Sequence, residues 1–148
     1  MAYAHLLIAI DLTDDCHLVL LRAQKLCQAL ACQVTLVHVV EPLTMAFGGD
    51  VPMDVSLLQQ QQTEQAQNKL NVLAEQHELL RNNNCHLRYG QPRQEIHQLV
   101  REQGCDLIIV GSHGRHGLAL LLGSTTNDLL SGAPCDVLAV DLKDHSDD

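Results

Sequence analysis

Apolar positions along this chain switch repeatedly between two rhythms. Residues 5–10 form an unbroken apolar run that ends at Asp11, the pattern of a strand covered on both faces. From Cys16 the spacing changes, and Cys16, Val19, Leu20, Ala23, Leu26, Cys27 and Leu30 recur on one helical face. Thr13 is placed to cap that helix, with Asp14 and Asp15 complementing its positive end. Residues 33–40 read as a second strand, and residues 41–53, with two prolines and two glycines, as a loop. A long helix is expected over residues 54–81, with Ala66, Leu70, Leu73, His77 and Leu80 as its stripe and residues 59–62 as a solvated glutamine face.

Asn82, Asn83 and Asn84 break that pattern, and residues 85–89 read as a third strand. Gly90, Gln91 and Pro92 punctuate it, with Pro92 suited to a first helical turn. Ile96, Leu99, Val100 and Gln103 give the next helix, which Gly104 ends. Residues 105–110 and 135–140 read as the fourth and fifth strands, with a last helix expected over 123–132. The acidic tail, residues 143–148, is expected to be disordered. Five strands with intervening helices imply an α/β fold, a doubly wound and mostly parallel sheet with right-handed crossovers.

Length and composition narrow the function. A chain of 148 residues is long enough for one domain that buries roughly 70% of its unfolded surface; the expected organisation is a single domain over 1–148. No secretory signal opens it and no apolar stretch reaches the length of a membrane span, so the cytoplasm is the expected compartment and no membrane partner is expected. Nine Lys plus Arg face eighteen Asp plus Glu, for a net charge of −9. Polyanion binding needs clustered cations, and single-strand binding needs aromatic platforms. With no Trp, one Phe and two Tyr, no nucleic-acid partner is expected. The six cysteines contain no Cys-x-x-Cys pair and are read as buried free thiols. Of the scattered histidines only His113 and His116 lie close in sequence, and two ligands without a nearby third are weak evidence for a metal.

The chemistry gathers near the C-terminus. Ile108, Ile109 and Val110 run into Gly111, Ser112, His113, Gly114, Arg115, His116 and Gly117, and then through residues 118–122 to Gly123, Ser124 and Thr125. A strand breaks there into a glycine-rich turn and enters a helix at a Gly-Ser-Thr step. Glycines let the backbone approach a ligand, and helix-start N–H groups point at negative charge. A nucleotide is therefore the leading ligand. In open sheets ligands bind beyond the carboxyl ends of strands, where the strand order reverses. Should the first and fourth strands be neighbours, Asp11 and Gly111 face one crevice. The acidic loop of Asp11, Asp14 and Asp15 repels phosphate and can accept from ribose hydroxyls or reach a divalent cation. The loop from Gly111, with Arg115, the two histidines and the Ser124 and Thr125 hydroxyls, suits phosphate. Neither a G-x-x-x-x-G-K-[ST] loop nor a G-x-G-x-x-G fingerprint occurs.

A different pattern does match. The opening run Leu6-Leu7-Ile8-Ala9-Ile10-Asp11, the strand Leu36-Val37-His38-Val39, Gly90-x-Pro92 before a helix and the glycine stretch together resemble the universal stress protein family over nearly the whole chain. The resemblance implies a Rossmann-like five-stranded sheet of order 3-2-1-4-5, a homodimer formed through the last strand (Val137, Leu138, Ala139, Val140), and binding of ATP or AMP, with Mg2+ as an accompanying ion. The family's glycine motif, G-x2-G-x9-G-[ST], falls on Gly111, Gly114, Gly123 and Ser124. Ala9 and Asp11 match positions lining adenine and ribose, Val39 a strand-end position whose backbone bonds the adenine edge, and Val110 a packing neighbour. His113 and Thr125 fall at phosphate-facing positions.

One departure stands out: eight residues, not nine, separate Gly114 from Gly123, which favours a monophosphate over a triphosphate. The reading is an adenine-nucleotide-binding stress-response module, with no catalytic and no metal residues assigned. Two alternatives remain: a slow metal-assisted ATP hydrolase drawing on Asp14, Asp15 or His17, and a nucleotide-free dimeric interaction protein. Individually, the glycines could serve only a tight turn, Asp11 and Ser124 could simply cap helices, and Arg115 and His116 could be solvated. His38 reads as a satisfied core or dimer-side histidine.

Overall fold

The structure, a computed structural model, describes residues 3–12, 16–42, 55–80, 84–111 and 132–140. Its centre is β1 (His5–Ala9), which pairs in parallel with β2 (Gln33–Val40) on one side and β4 (Leu107–Gly111) on the other. β3 (Asn84–Tyr89) extends the sheet beyond β2, and β5 (Asp136–Val140) beyond β4. The order is β3-β2-β1-β4-β5, all parallel; the alternation of rhythms implied the parallel sheet, and the family resemblance its order.

Strand residues alternate between two cores. Leu6, Ile8, Val34, Leu36, Leu107 and Ile109 pack with Cys16, Val19, Leu20 and Ala23 of α1 (Cys16–Leu30) and with Leu70 and Leu73 of α2 (Val55–Gln76). Leu7, Ala9, Val37, Ile108 and Val110 point the other way, onto Ile96, Leu99 and Val100 of α3 (Pro92–Gln103). Burying one such side chain contributes roughly 1.5–3 kcal/mol, so the central strands, apolar on both faces, fix the register. A one-residue slip would exchange the two cores.

α2 departs from the single helix expected over 54–81. It ends at Gln76, and a 3-10 turn, Glu78–Leu80, follows. The Leu80 N–H bonds the His77 carbonyl three residues back, at 3.0 Å. The tighter turn carries Leu80 into the core, where it is 2% exposed, and turns the His77 ring out of the expected stripe toward α1. The stripe residues Ala66, Leu70 and Leu73 are buried as expected.

α3 follows the sequence reading closely. Pro92 opens its first turn, and Gly104 closes it in the left-handed conformation (φ 71°), its N–H bonded to the Val100 carbonyl. All six cysteines are free, with Cys16 and Cys105 buried and the other four half-buried. The expected cap at Thr13 with Asp14 and Asp15, the loop over 43–53, most of the helix over 123–132 and the tail over 143–148 lie outside the described residues.

Candidate crevice at the switch point of the sheet

Strand order reverses between β1 and β4. From β1 the chain moves outward through β2 to β3, then crosses back to β4 and on to β5. The carboxyl ends of β1 and β4 are therefore adjacent, with Ile8 opposite Ile109. Asp11 follows the first strand by two residues, and Gly111 ends the second. This is the condition on which a shared crevice depended. Loops leaving neighbouring strand ends in opposite directions open a cleft above the sheet.

Three expected adenine-side residues share one face of that site. Ala9 and Val110 belong to the core beneath α3, and Val39 packs against it. Gly111 is buried at the end of β4. Asp11 is half-exposed beyond β1. The remaining expected site residues, His113, Gly114, Arg115, Gly123, Ser124 and Thr125, lie outside the described residues.

The Asp11 loop is anchored to β2 by two bonds. Ile10 N–H donates to the Val37 carbonyl at 3.0 Å, and His38 Nδ1 lies 2.8 Å from the Ile10 carbonyl oxygen. A carbonyl can only accept, so Nδ1 carries the proton in this contact. Burial pushes the His38 pKa below its ordinary value; the Ile10 bond and Asp11 oppose that, while Lys69 of α2 reinforces it. His38 is half-buried and satisfied by this bond, as expected of a core or dimer-side histidine. Its role is to tie the loop that carries Asp11 to the strand that carries Val39.

Sequence reasoning missed a second feature. Leu12 adopts φ 62°, a left-handed conformation costing a non-glycine residue roughly 1–2 kcal/mol. With Cys16, His17, Asn68, Lys69, Val72, Leu73 and Gln76 it lines a groove of about 350 Å³ between α1 and α2. Cys16 and Leu73 belong to the core on the α1 side, so the groove lies on the sheet face opposite Ala9 and Val110. At its edge His17 meets His77, with Nδ1 and Nε2 2.8 Å apart. Burial, and secondarily His17, lowers the His77 pKa. Helical spacing alone could not have revealed this contact, because it depends on α2 ending at Gln76.

Sheet order, its reversal between β1 and β4, and helices on both faces define a doubly wound parallel α/β protein. Within that class, a family model for the universal stress proteins matches residues 2–141. Universal stress protein A homolog 1 of Coxiella burnetii is 36% identical over 146 residues, covering 97% of this chain and 100% of that protein. Homolog 2 of the same organism is 39% identical over 139 residues, 92% of each. The chain belongs to the universal stress protein family.

Among solved structures, MJ0577, a universal stress protein of Methanocaldococcus jannaschii, aligns with a TM-score of 0.74 at 26% identity, over 97% of this chain and 99% of that one. More distant relatives share the fold. A universal stress protein solved in complex with cAMP has a TM-score of 0.59 at 18% identity, over 97% of this chain and 100% of that one. The Archaeoglobus fulgidus universal stress protein solved in complex with dAMP has a TM-score of 0.57 at 17% identity, over 95% and 99%. Among the described residues, no helix is long and apolar enough to cross a membrane.

Proposed function

We propose that this protein is a single-domain, adenine-nucleotide-binding module that works as a homodimer in the stress response. The observation that carries the reading is the pairing of β1 with β4, which makes neighbours of the two strand ends that lead to Asp11 and Gly111 at the switch point. From Gly111 the sequence continues as Gly111-x2-Gly114-x8-Gly123-Ser124, the composition that lets main-chain amides cradle a phosphate. Ala9, Val39 and Val110 supply an apolar wall for the base, and the Asp11 carboxylate an acceptor for ribose hydroxyls. Relatives solved with cAMP and dAMP support an adenine ligand. The loop shortened by one residue favours AMP over ATP.

Dimerisation through β5 is the second part of the proposal. β5 pairs only with β4 among the described strands, and Leu138 on it is 38% exposed. An apolar edge strand without a partner invites uncontrolled pairing; a two-fold copy of the same strand satisfies it. Nucleotide occupancy would then shift dimer stability or partner affinity through the loops that flank β4 and β5.

The decisive experiment denatures the purified protein and chromatographs the released small molecules. AMP is the expected product. ATP that turns to ADP with time would favour slow hydrolysis instead. Saturation at about 100-fold over the dissociation constant should stabilise the fold by roughly 2.7 kcal/mol. An absence of both co-purified nucleotide and thermal stabilisation would leave only a dimeric interaction protein. Sedimentation tests the dimer: Leu138→Glu should convert it to monomer, and an unchanged sedimentation coefficient would exclude β5 as the interface.

A further inference from the structure

The contact between α1 and the end of α2 lies outside the nucleotide reading. His17 Nδ1 and His77 Nε2 are 2.8 Å apart, the ring centroids are 4.9 Å apart and the ring planes differ by 29°. The centroid separation is close to the nitrogen–nitrogen distance plus two ring radii. The imidazoles therefore meet edge to edge rather than face to face, and each nitrogen lies in the lone-pair direction of the other. At present one proton bridges them.

A metal ion can take the place of the bridging proton once the two rings turn their nitrogens toward a common point. Zinc–imidazole bonds of about 2.0–2.1 Å at tetrahedral angles hold two nitrogens roughly 3.3 Å apart. The nitrogens need to separate by about 0.5 Å, and each ring to turn by roughly 35° so that its lone pair aims at the metal instead of at the other nitrogen. Both side chains are half-exposed, and the groove lined by His17, Asn68 and Gln76 opens beside them, which leaves room for water in the remaining coordination positions. Binding moves the bridging proton to the distal nitrogen of its own ring, so a neutral pair loses no net proton. Two imidazole nitrogens suit zinc, copper and nickel and not magnesium or calcium.

We propose that His17 and His77 form a two-imidazole site for a divalent transition-metal cation of the zinc type, which fastens the start of α1 to the end of α2. Among the described residues no group of three or more His, Cys, Asp or Glu surrounds a common point. The site is therefore an exchangeable one completed by water, unlike a closed structural zinc centre. It lies on the opposite sheet face from Ala9 and Val110 and does not rest on the nucleotide reading.

The test is a Zn2+ titration of the full-length protein, thiols reduced and nucleotide absent, followed by long-range proton–nitrogen NMR of the imidazoles. The His17 Nδ1 and His77 Nε2 resonances should move together, and a chelator should restore them. Zinc affinity should fall at least about ten-fold in His17→Gln and in His77→Gln, since each removes one of two protein ligands. A His113→Gln/His116→Gln variant should keep the wild-type response. Zinc shifts confined to other histidines, or undiminished binding in a folded His17→Gln/His77→Gln protein, would overturn the site. Should either variant fail to fold, the wild-type resonances alone decide.

Discussion

Asp106 and His5 grip each other twice. The Asp106 N–H donates to the His5 carbonyl at 2.9 Å, and the Asp106 carboxylate accepts from the His5 N–H at 3.0 Å. Its second oxygen accepts from the Ala4 N–H at 2.8 Å. One residue before β4 therefore fastens the entrance of β1, the strand whose far end carries Asp11. What is settled at the amino ends of these strands is the register that sets Ile8 opposite Ile109, near the strand ends that lead to Asp11 and Gly111.

The first prediction concerns that clamp. Partial burial raises the Asp106 pKa, but the amides of Ala4, His5 and Asp106 itself outweigh it and hold the pKa below the ordinary 3.8. A depressed folded-state pKa stabilises above the unfolded value, and that contribution disappears as pH falls through the folded one. Asp106→Asn should therefore destabilise at neutral pH by about 1–2 kcal/mol, a figure discounted because solvent reaches the carboxylate. The gap between variant and wild type should narrow below pH 3.8. Denaturant melts at neutral and acid pH check this; a gap that persists unchanged in acid would remove the carboxylate from the explanation.

His38 gives a second pH dependence at a different place on the scale. Its pKa is held below the ordinary 6.5, chiefly by burial. The unfolded chain then binds a proton that the folded chain resists, so stability declines as pH drops from 6.5 toward the folded value. His77 and His86 are lowered in the same direction, again chiefly by burial. His38→Asn, whose side-chain amide can donate to the Ile10 carbonyl as Nδ1 does, should flatten part of the decline. Melting temperatures between about pH 7 and pH 5 provide the comparison. Equal slopes in the two proteins would place the titration elsewhere.

Helix ends supply a matched pair. Gly104 closes α3 at φ 71° with its N–H on the Val100 carbonyl, 2.9 Å away. Ala31 closes α1 at φ 54° with its N–H on the Cys27 carbonyl, 2.7 Å away. The two positions have the same geometry, yet one carries a Cβ. A Cβ at Gly104 would meet nothing within 4 Å, so only its left-handed backbone opposes substitution. Gly104→Ala should cost about 1 kcal/mol and Ala31→Gly should gain about the same. Changes of equal sign would show that packing, not backbone conformation, governs these caps.

Much of this fold was legible because its strands are buried on both faces. Residues 5–10 and 105–110 read as strands without any alternation, which only a covered parallel sheet explains. Gly104 and Pro92 marked the ends of α3 because each residue type suits one position there. The end of α2 was not legible: His77, Glu78, Leu79 and Leu80 contain no helix breaker, and the 3-10 turn there buries Leu80 in the core. The left-handed conformations of Leu12 and Ala31 were equally hidden, since neither residue type advertises it. Asp11 and Gly111 were read from the strand ends they follow, and β1 and β4 are neighbours as that reading required; Ala9, Val39 and Val110 came from the family resemblance and share one core. The His17–His77 contact was invisible because sixty residues separate its members and only tertiary packing joins them.

The nucleotide proposal makes its sharpest prediction at Asp11. In that reading the carboxylate accepts from the ribose hydroxyls, and a hydrogen bond to a charged acceptor is worth about 1.5–3 kcal/mol. Asp11→Ala should therefore weaken AMP at least about ten-fold. The same substitution should leave an analogue lacking both ribose hydroxyls nearly unaffected, because no donor remains to lose its partner. Calorimetric titration of both ligands into both proteins completes a double-mutant cycle. A coupling near zero, with the two ligands weakened alike, would mean that Asp11 acts by shaping its loop rather than by touching the sugar. Asp106→Asn serves as the control, since it loosens β1 at the opposite end and should weaken both ligands equally or not at all.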